Sequence, residues 1–194
     1  MRSIKRLPIT QLLMAAVIAT QLTACFPIVA GGAAAGGLMA ADRRTSGAYV
    51  EDEAIEIKAE KNIDDQLGDK IHVNVTSYNR NVLMTGEAID EATKAKAESI
   101  AKSVANVRGV TNEMMISASS PRMERNNDAY ITTKVKARML TENRFPVNYV
   151  KVVTEISAVY LMGIVTHKEA DDAVEIARAT DGVQKVVKVF EYLD

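Results

Sequence analysis

Hydrophobic positions along this chain follow a pattern that is written twice. Ile55, Ala59 and Ile63 recur at the spacing of one buried helix face, and Ile131, Val135 and Met139 repeat it. Alternation follows each stripe, at Ile71, Val73 and Val75 in the first copy and at Val150 and Val152 in the second, which predicts half-buried strands. A short polar break comes next, Tyr78-Asn79-Arg80-Asn81 or Glu155-Ile156-Ser157. A second apolar run then ends at Gly86 or Gly163, so each pair of runs predicts a hairpin. Alanine-rich helices are predicted over 91–104 and 167–179, and a last strand over 110–116 and 186–192.

The copies keep register. Ile131 follows Ile55 by 76 residues and Gly163 follows Gly86 by 77. Ser99-Ile100-Ala101-Lys102 matches Glu175-Ile176-Ala177-Arg178, and Val107 and Val110 match Val183 and Val186. An internal duplication is the strongest architectural signal in the sequence. The expected fold is α+β: two tandem units over 51–119 and 120–194, each αββαβ, with a three-stranded mixed sheet covered on one face by two helices. The other face is left open or packed against the second copy. Units this small are marginal alone, so the two are expected to pack together.

The segment before the repeats reads differently. Arg2, Lys5 and Arg6 precede an apolar stretch with no acid, and its strongest run, Leu12 to Ala19, is eight residues. A helical span needs about 20, so residues 1–24 are read as an export signal. The run ends at Leu22-Thr23-Ala24-Cys25, the arrangement of a bacterial lipobox, and Cys25 is the single cysteine of the chain. Cys25 is therefore the expected attachment point of a diacylglycerol and an N-acyl chain. Residues 25–50, with glycine pairs at 31–32 and 36–37, are read as a flexible tether. Fully stretched, its roughly 25 residues reach about 80 Å.

Charge separates the two copies. The span 51–65 holds seven acids and two lysines, while 122–144 holds six cations (Arg122, Arg125, Lys134, Lys136, Arg138 and Arg144) and three acids. Equivalent helices thus carry −5 and +3. Only the second suits an anionic surface, where a cation near the headgroups contributes about 1 kcal/mol. On its wheel Tyr130, Lys134 and Arg138 run along the flank of the core stripe, with Ala137 close to Tyr130. An aromatic ring beside cations suits a headgroup interface. The bland alternative is a solvated face with Tyr130 on the core edge.

Composition narrows the function further. The chain has 194 residues, 47% of them hydrophobic and 25% charged, with a net charge of −1; loss of residues 1–24 leaves −4. That balance does not point to nucleic acid. One cysteine permits no internal disulfide and no cysteine-based metal cage. His72 and His167, the two histidines, lack spaced partners and are read as structural. No nucleophile elbow, metal spacing or phosphate loop occurs. No enzyme, cofactor, metal or small-molecule substrate is expected.

Ile131-Thr132-Thr133-Lys134-Val135, Val159-Tyr160-Leu161-Met162-Gly163-Ile164-Val165-Thr166 and Ile176-Ala177 with Gly182-Val183 resemble the dual-BON-domain outer-membrane lipoproteins, and the likeness runs from the lipobox to the C-terminus. The resemblance implies two BON domains, no catalysis, and binding of anionic phospholipid through the first helix of the second domain. Tyr130, Thr133, Lys134, Ala137 and Arg138 are the residues so implied. In those proteins a larger aromatic stands at the position of Tyr130. The resemblance also implies support of outer-membrane integrity and gathering at division sites. Phe26 after the cysteine, in place of an Asp that would retain such proteins at the inner membrane, implies an anchor in the outer membrane facing the periplasm. The alternative is an adaptor for envelope-assembly or division proteins, docking through the acidic helix around Glu56 and Glu60 or an open sheet edge. A peptidoglycan hydrolase is a weaker third reading.

Overall fold

A computed structural model describes residues 42–117 and 122–194. The signal segment, Cys25 and residues 26–41 of the tether lie outside them, as does the junction at 118–121. The elements are α1 (Ser46–Leu67), β1 (Ile71–Tyr78), β2 (Asn81–Ala88), α2 (Glu91–Ser103), β3 (Gly109–Asn112) and β4 (Met115–Ile116) in the first unit. The second holds α3 (Arg122–Glu142), β5 (Val150–Glu155), β6 (Ala158–Val165), α4 (His167–Arg178) and β7 (Lys185–Tyr192). Each sheet is mixed: an antiparallel hairpin, β1-β2 or β5-β6, then a parallel partner, β3 or β7. The α+β, twice-αββαβ architecture is thus present.

Four local features depart from the expected outline. Helix α1 starts at Ser46, where the Thr45 hydroxyl accepts from Ala48 N–H at 3.1 Å, so this helix begins inside the stretch read as tether. The strand expected over 110–116 is broken in two. Asn112 Oδ1 accepts from Met114 N–H at 3.2 Å, and this bend turns Met114, 2% exposed, into the core. Gly86 and Gly163 do not end their strands, which run two residues further. A Cβ at these glycines would lie 2.1 Å from the His72 carbonyl oxygen or 2.3 Å from that of Tyr149, so the strand passes only without a side chain. Both hairpins turn on two left-handed residues, Asn79 and Arg80 in one and Ile156 and Ser157 in the other.

That turn is costly for a β-branched residue such as Ile156. A buried aspartate on the preceding helix holds it in each unit. Asp52 accepts from the N–H groups of Asn79 (2.8 Å) and Arg80 (2.7 Å), and Asp128 from those of Ile156 (2.7 Å) and Ser157 (2.8 Å).

Each unit buries its helical stripe against the outer face of its own sheet. Ile55, Ala59 and Ile63 pack on Val75, Val82 and Met84, and Ile131, Val135 and Met139 on Val152, Val159 and Leu161. The inner faces meet, which settles the open-or-packed alternative. Tyr78, Leu83, Tyr160 and Met162 form a third core between the sheets, and residues 41–194 make one compact unit. Burial pushes the hydroxyls of Tyr78 and Tyr160 up to about 12. Polar contacts join the two sheets across this sandwich. Arg108 meets Glu191 at 3.3 Å, and Lys185 meets Glu113 at 3.3 Å. Asn74 donates to Glu155 (2.8 Å), and its counterpart Lys151 donates to Glu56 (2.9 Å) and the Ser77 carbonyl (3.4 Å).

The residues just before α1 strap the halves together. Arg43 donates to both oxygens of Glu169 (2.7 and 2.8 Å) and to the Ile164 carbonyl, and stacks 3.7 Å over the Tyr149 ring. Arg44 instead serves the first unit, bonding Asp42 and Asp52 and lying 4.1 Å over Tyr78. The hydrogen bond from Arg43 holds the Glu169 carboxyl below its ordinary value.

Candidate membrane-facing helix

Helix α3 is fixed from beneath. Ile131, Val135 and Met139 are at most 1% exposed, so the opposite face must look outward. On it stand Tyr130, 63% exposed, then Thr133, Ala137 and Leu140, 66% exposed, at intervals of three, four and three residues. The Thr133 hydroxyl is turned onto the Ala129 carbonyl (2.9 Å), and the Thr141 hydroxyl onto that of Ala137 (2.8 Å). Their polar atoms are thus already engaged, and methyl groups face out. The result is a row of apolar surface one helix face wide.

Cations border the row on both sides. Lys134 Nζ lies 5.4 Å from the centroid of the Tyr130 ring and donates to the Asp181 carbonyl at 3.0 Å. Arg138 donates to the Ala179 carbonyl and to Glu142 (2.9 Å). Both are moored to the loop after α4 while remaining at the surface. On the far side Lys136 is exposed, and among the described residues it has no hydrogen-bond or ion-pair partner.

The five expected contact residues, Tyr130, Thr133, Lys134, Ala137 and Arg138, therefore come together on one helix face. Leu140 and Lys136 belong with them and were missed. Leu140 lies seven residues after Thr133 and three after Ala137, so the same helix face carries it. Lys136 figured only in the charge total. Nothing is described of the side chains of Arg122 and Arg125.

Three acids of the first unit's helix reach back to their own sheet. Glu60 accepts from Val75 N–H (3.1 Å), Glu56 from Ser77 N–H (2.7 Å), and Asp52 from the turn and the Ser77 hydroxyl. Three carboxylates one turn apart line the free edge of β1. Glu56 and Glu60 thereby cap the edge of their own sheet, while Glu53, Glu60, Asp64 and Asp65 stay exposed along the helix.

Both histidines have carboxylate partners that their spacing did not reveal. His72 Nδ1 lies 3.1 Å from buried Glu87, and His167 stacks on Tyr192 (centroids 4.2 Å apart) beside Asp194 (2.9 Å). The hydrogen bonds from His167 hold the Asp194 carboxyl below its ordinary value. Among the described residues no three His, Cys, Asp or Glu side chains converge as metal ligands, and no helix is long and apolar enough to cross a membrane.

Comparison with known proteins adds the following. The BON-domain family model matches residues 51–118 and 127–194. The chain is 38% identical to the outer membrane lipoprotein DolP of Haemophilus influenzae over 89% of its length and 91% of that protein's. It is 33% identical to a 21 kDa hemolysin of Actinobacillus pleuropneumoniae, covering 78% of this chain and 79% of the other. The osmotically-inducible protein Y of Escherichia coli is 28% identical over 72% of each chain.

Proposed function

The chain belongs to the BON-domain family, and from that premise we propose that it is a non-enzymatic lipoprotein of the outer membrane, facing the periplasm, that binds anionic phospholipid through α3. Covalent acyl chains on Cys25 hold it at the membrane, and each buried CH₂ contributes about 0.8 kcal/mol. Helix α3 then selects the lipid patch the protein occupies. A tethered contact needs little affinity of its own, because the anchor keeps its local concentration high. Support of envelope integrity, with residence at division sites where anionic lipid is enriched, follows from that selection.

One observation carries this reading: the exposed row Tyr130-Thr133-Ala137-Leu140 bordered by Lys134 and Arg138 on one side and Lys136 on the other. A phenol ring sits among glycerol groups with its hydroxyl in water, and the leucine reaches past it toward acyl chains. Lysine and arginine meet phosphates at the same depth. The likeness to an outer membrane lipoprotein supports the location.

The mature chain carrying Cys25→Ser, which lacks the anchor, tests it. It floats with phosphatidylglycerol-containing vesicles at low salt and stays behind with neutral phosphatidylcholine vesicles. Tyr130→Glu abolishes flotation with the fold intact by circular dichroism. Flotation unaffected by Tyr130→Glu removes α3 from the mechanism.

A further inference from the structure

The layer between the two sheets opens, beside the break between β3 and β4, into a cleft of about 320 Å³. That volume lies at the small end of the range for small-molecule sites. Tyr160 and Glu155 of the second unit line it together with Lys94, Glu113 and Met115 of the first, and Lys185 stands beside Glu113. Two of these groups are buried without being fully bonded. Tyr160 is 5% exposed, and its hydroxyl has no hydrogen-bond partner among the described residues. Glu155 is 8% exposed; its Oε2 accepts from Asn74 (2.8 Å) and Thr85 (3.1 Å), whereas its Oε1 accepts from none of the described residues. Neither atom is sealed from water, and the cleft is where both open. Buried polar groups are as a rule fully bonded, so this pair of free acceptors calls for an occupant.

The charges of the wall say what kind. Four ionisable side chains of lysine and glutamate line the cleft, and Lys185 and Glu113 pair with each other at 3.3 Å. The two that remain have opposite signs and no counter-ion. Glu155 receives hydrogen bonds from neutral donors alone. Lys94 makes no ion pair among the described residues, and Glu98, one turn further along α2, is taken by Lys102 (2.5 Å) and Asn112 (3.2 Å). A simple anion would meet the buried Glu155, and a simple cation would leave Lys94 unmatched; an unpaired charge beside a buried one is costly. A metal ion lacks ligands here, since among the described residues no three His, Cys, Asp or Glu side chains converge. A ligand that carries both signs matches both residues.

We propose that this cleft binds a small zwitterion, a molecule with a primary ammonium at one end and a carboxylate or phosphate at the other. The ammonium enters first and donates to Glu155 Oε1 and to the Tyr160 hydroxyl oxygen, as charge-assisted hydrogen bonds in a partly dry site. The anionic end stays outside with Lys94. Met115, 44% exposed, covers the carbon atoms between them. A short peptide or amino acid and the ethanolamine phosphate of a lipid headgroup share this chemistry. The cleft is built by both units and owes nothing to the outer face of α3.

Amide chemical-shift titrations of the mature Cys25→Ser chain test the proposal. Alanyl-alanine and glycerophosphorylethanolamine are the two zwitterionic probes, and the one that binds more tightly identifies peptide or lipid headgroup as the source. Binding shifts the amides of Gly86, Met115, Ala158 and Tyr160 and leaves α3 unmoved. Acetyl-alanyl-alanine lacks the ammonium and alanyl-alanine amide lacks the carboxylate, and both bind more weakly than the zwitterion. Glu155→Gln keeps an acceptor for Asn74 and Thr85 and lowers zwitterion affinity about tenfold. Tyr160→Phe keeps the ring in the core and lowers it in the same way. Lys94→Gln, on the surface, lowers it about threefold and leaves alanyl-alanine amide unaffected. Absence of shifts at the cleft with either zwitterion, capped peptides that bind as tightly as the free one, or an affinity indifferent to both Tyr160→Phe and Lys94→Gln overturns it.

Discussion

Replacing Leu140 by alanine isolates the apolar part of the membrane contact. The side chain is 66% exposed on α3 and reaches no core cluster, so its loss leaves the folded state nearly untouched. Exposed substitutions of this kind stay within about 0.5 kcal/mol, and alanine keeps the helix. Full burial of a leucine contributes about 2 kcal/mol. The two thirds that water now reaches correspond to about 1.4 kcal/mol on transfer to acyl chains, or roughly tenfold in affinity. The assay is partitioning of mature Cys25→Ser protein onto phosphatidylglycerol vesicles over a range of lipid concentrations. Because the contribution is hydrophobic, the tenfold loss persists at high salt. Lys136→Gln behaves differently, weakening binding at low salt and converging on the parent as the Debye length falls to about 3 Å at 1 M. An affinity unchanged by Leu140→Ala at every salt concentration refutes the claim that this face enters lipid.

Other outcomes follow from the clamps and close approaches. Asp128→Ala leaves two half-buried N–H groups without their charged acceptor and Ile156 unsupported in its left-handed turn; urea unfolding registers a loss of about 2 kcal/mol. Gly163→Ala forces a Cβ to within 2.3 Å of the Tyr149 carbonyl oxygen, and the melting temperature falls by the equivalent of about 2 kcal/mol. The Arg43–Glu169 pair is acid-labile. Glu169 titrates below its ordinary 4.5, so its stabilisation is complete above that pH and disappears as pH falls through the lowered folded value. Amide protection factors at residues 43–45 therefore fall as pH drops through that lowered value; Arg43→Gln shows low protection at every pH.

Periodicity made the elements legible, since a buried helix face and a half-buried strand each impose their own spacing on Ile55, Ala59 and Ile63 or Ile71, Val73 and Val75. The duplication then fixed the order of elements in both units. What stayed hidden was set by contacts between residues distant along the chain. Nothing near Leu83 or Tyr160 tells that these two residues meet between the sheets, because apolar positions on both faces of a strand read alike. The caps made by Glu56 and Glu60 were not legible because a carboxylate that caps a neighbouring strand has the same helical spacing as one that faces water or a partner. Arg43 and Arg44 sat in a stretch dominated by glycine and alanine, and their partners lie in both units. In the site itself, charge and ring chemistry pointed to Tyr130, Lys134 and Arg138, whereas an exposed leucine is ordinary in any surface helix and acquires meaning only once its neighbours are placed.

Amide chemical shifts of the mature Cys25→Ser chain, recorded while phosphatidylglycerol nanodiscs are added, test lipid contact by α3 most directly. Perturbations that cluster on Tyr130, Thr133, Lys134, Ala137, Arg138 and Leu140, and fade when the discs contain only phosphatidylcholine, are the expected result. Perturbations confined to the first unit, or spread over both units without preference for α3, contradict it.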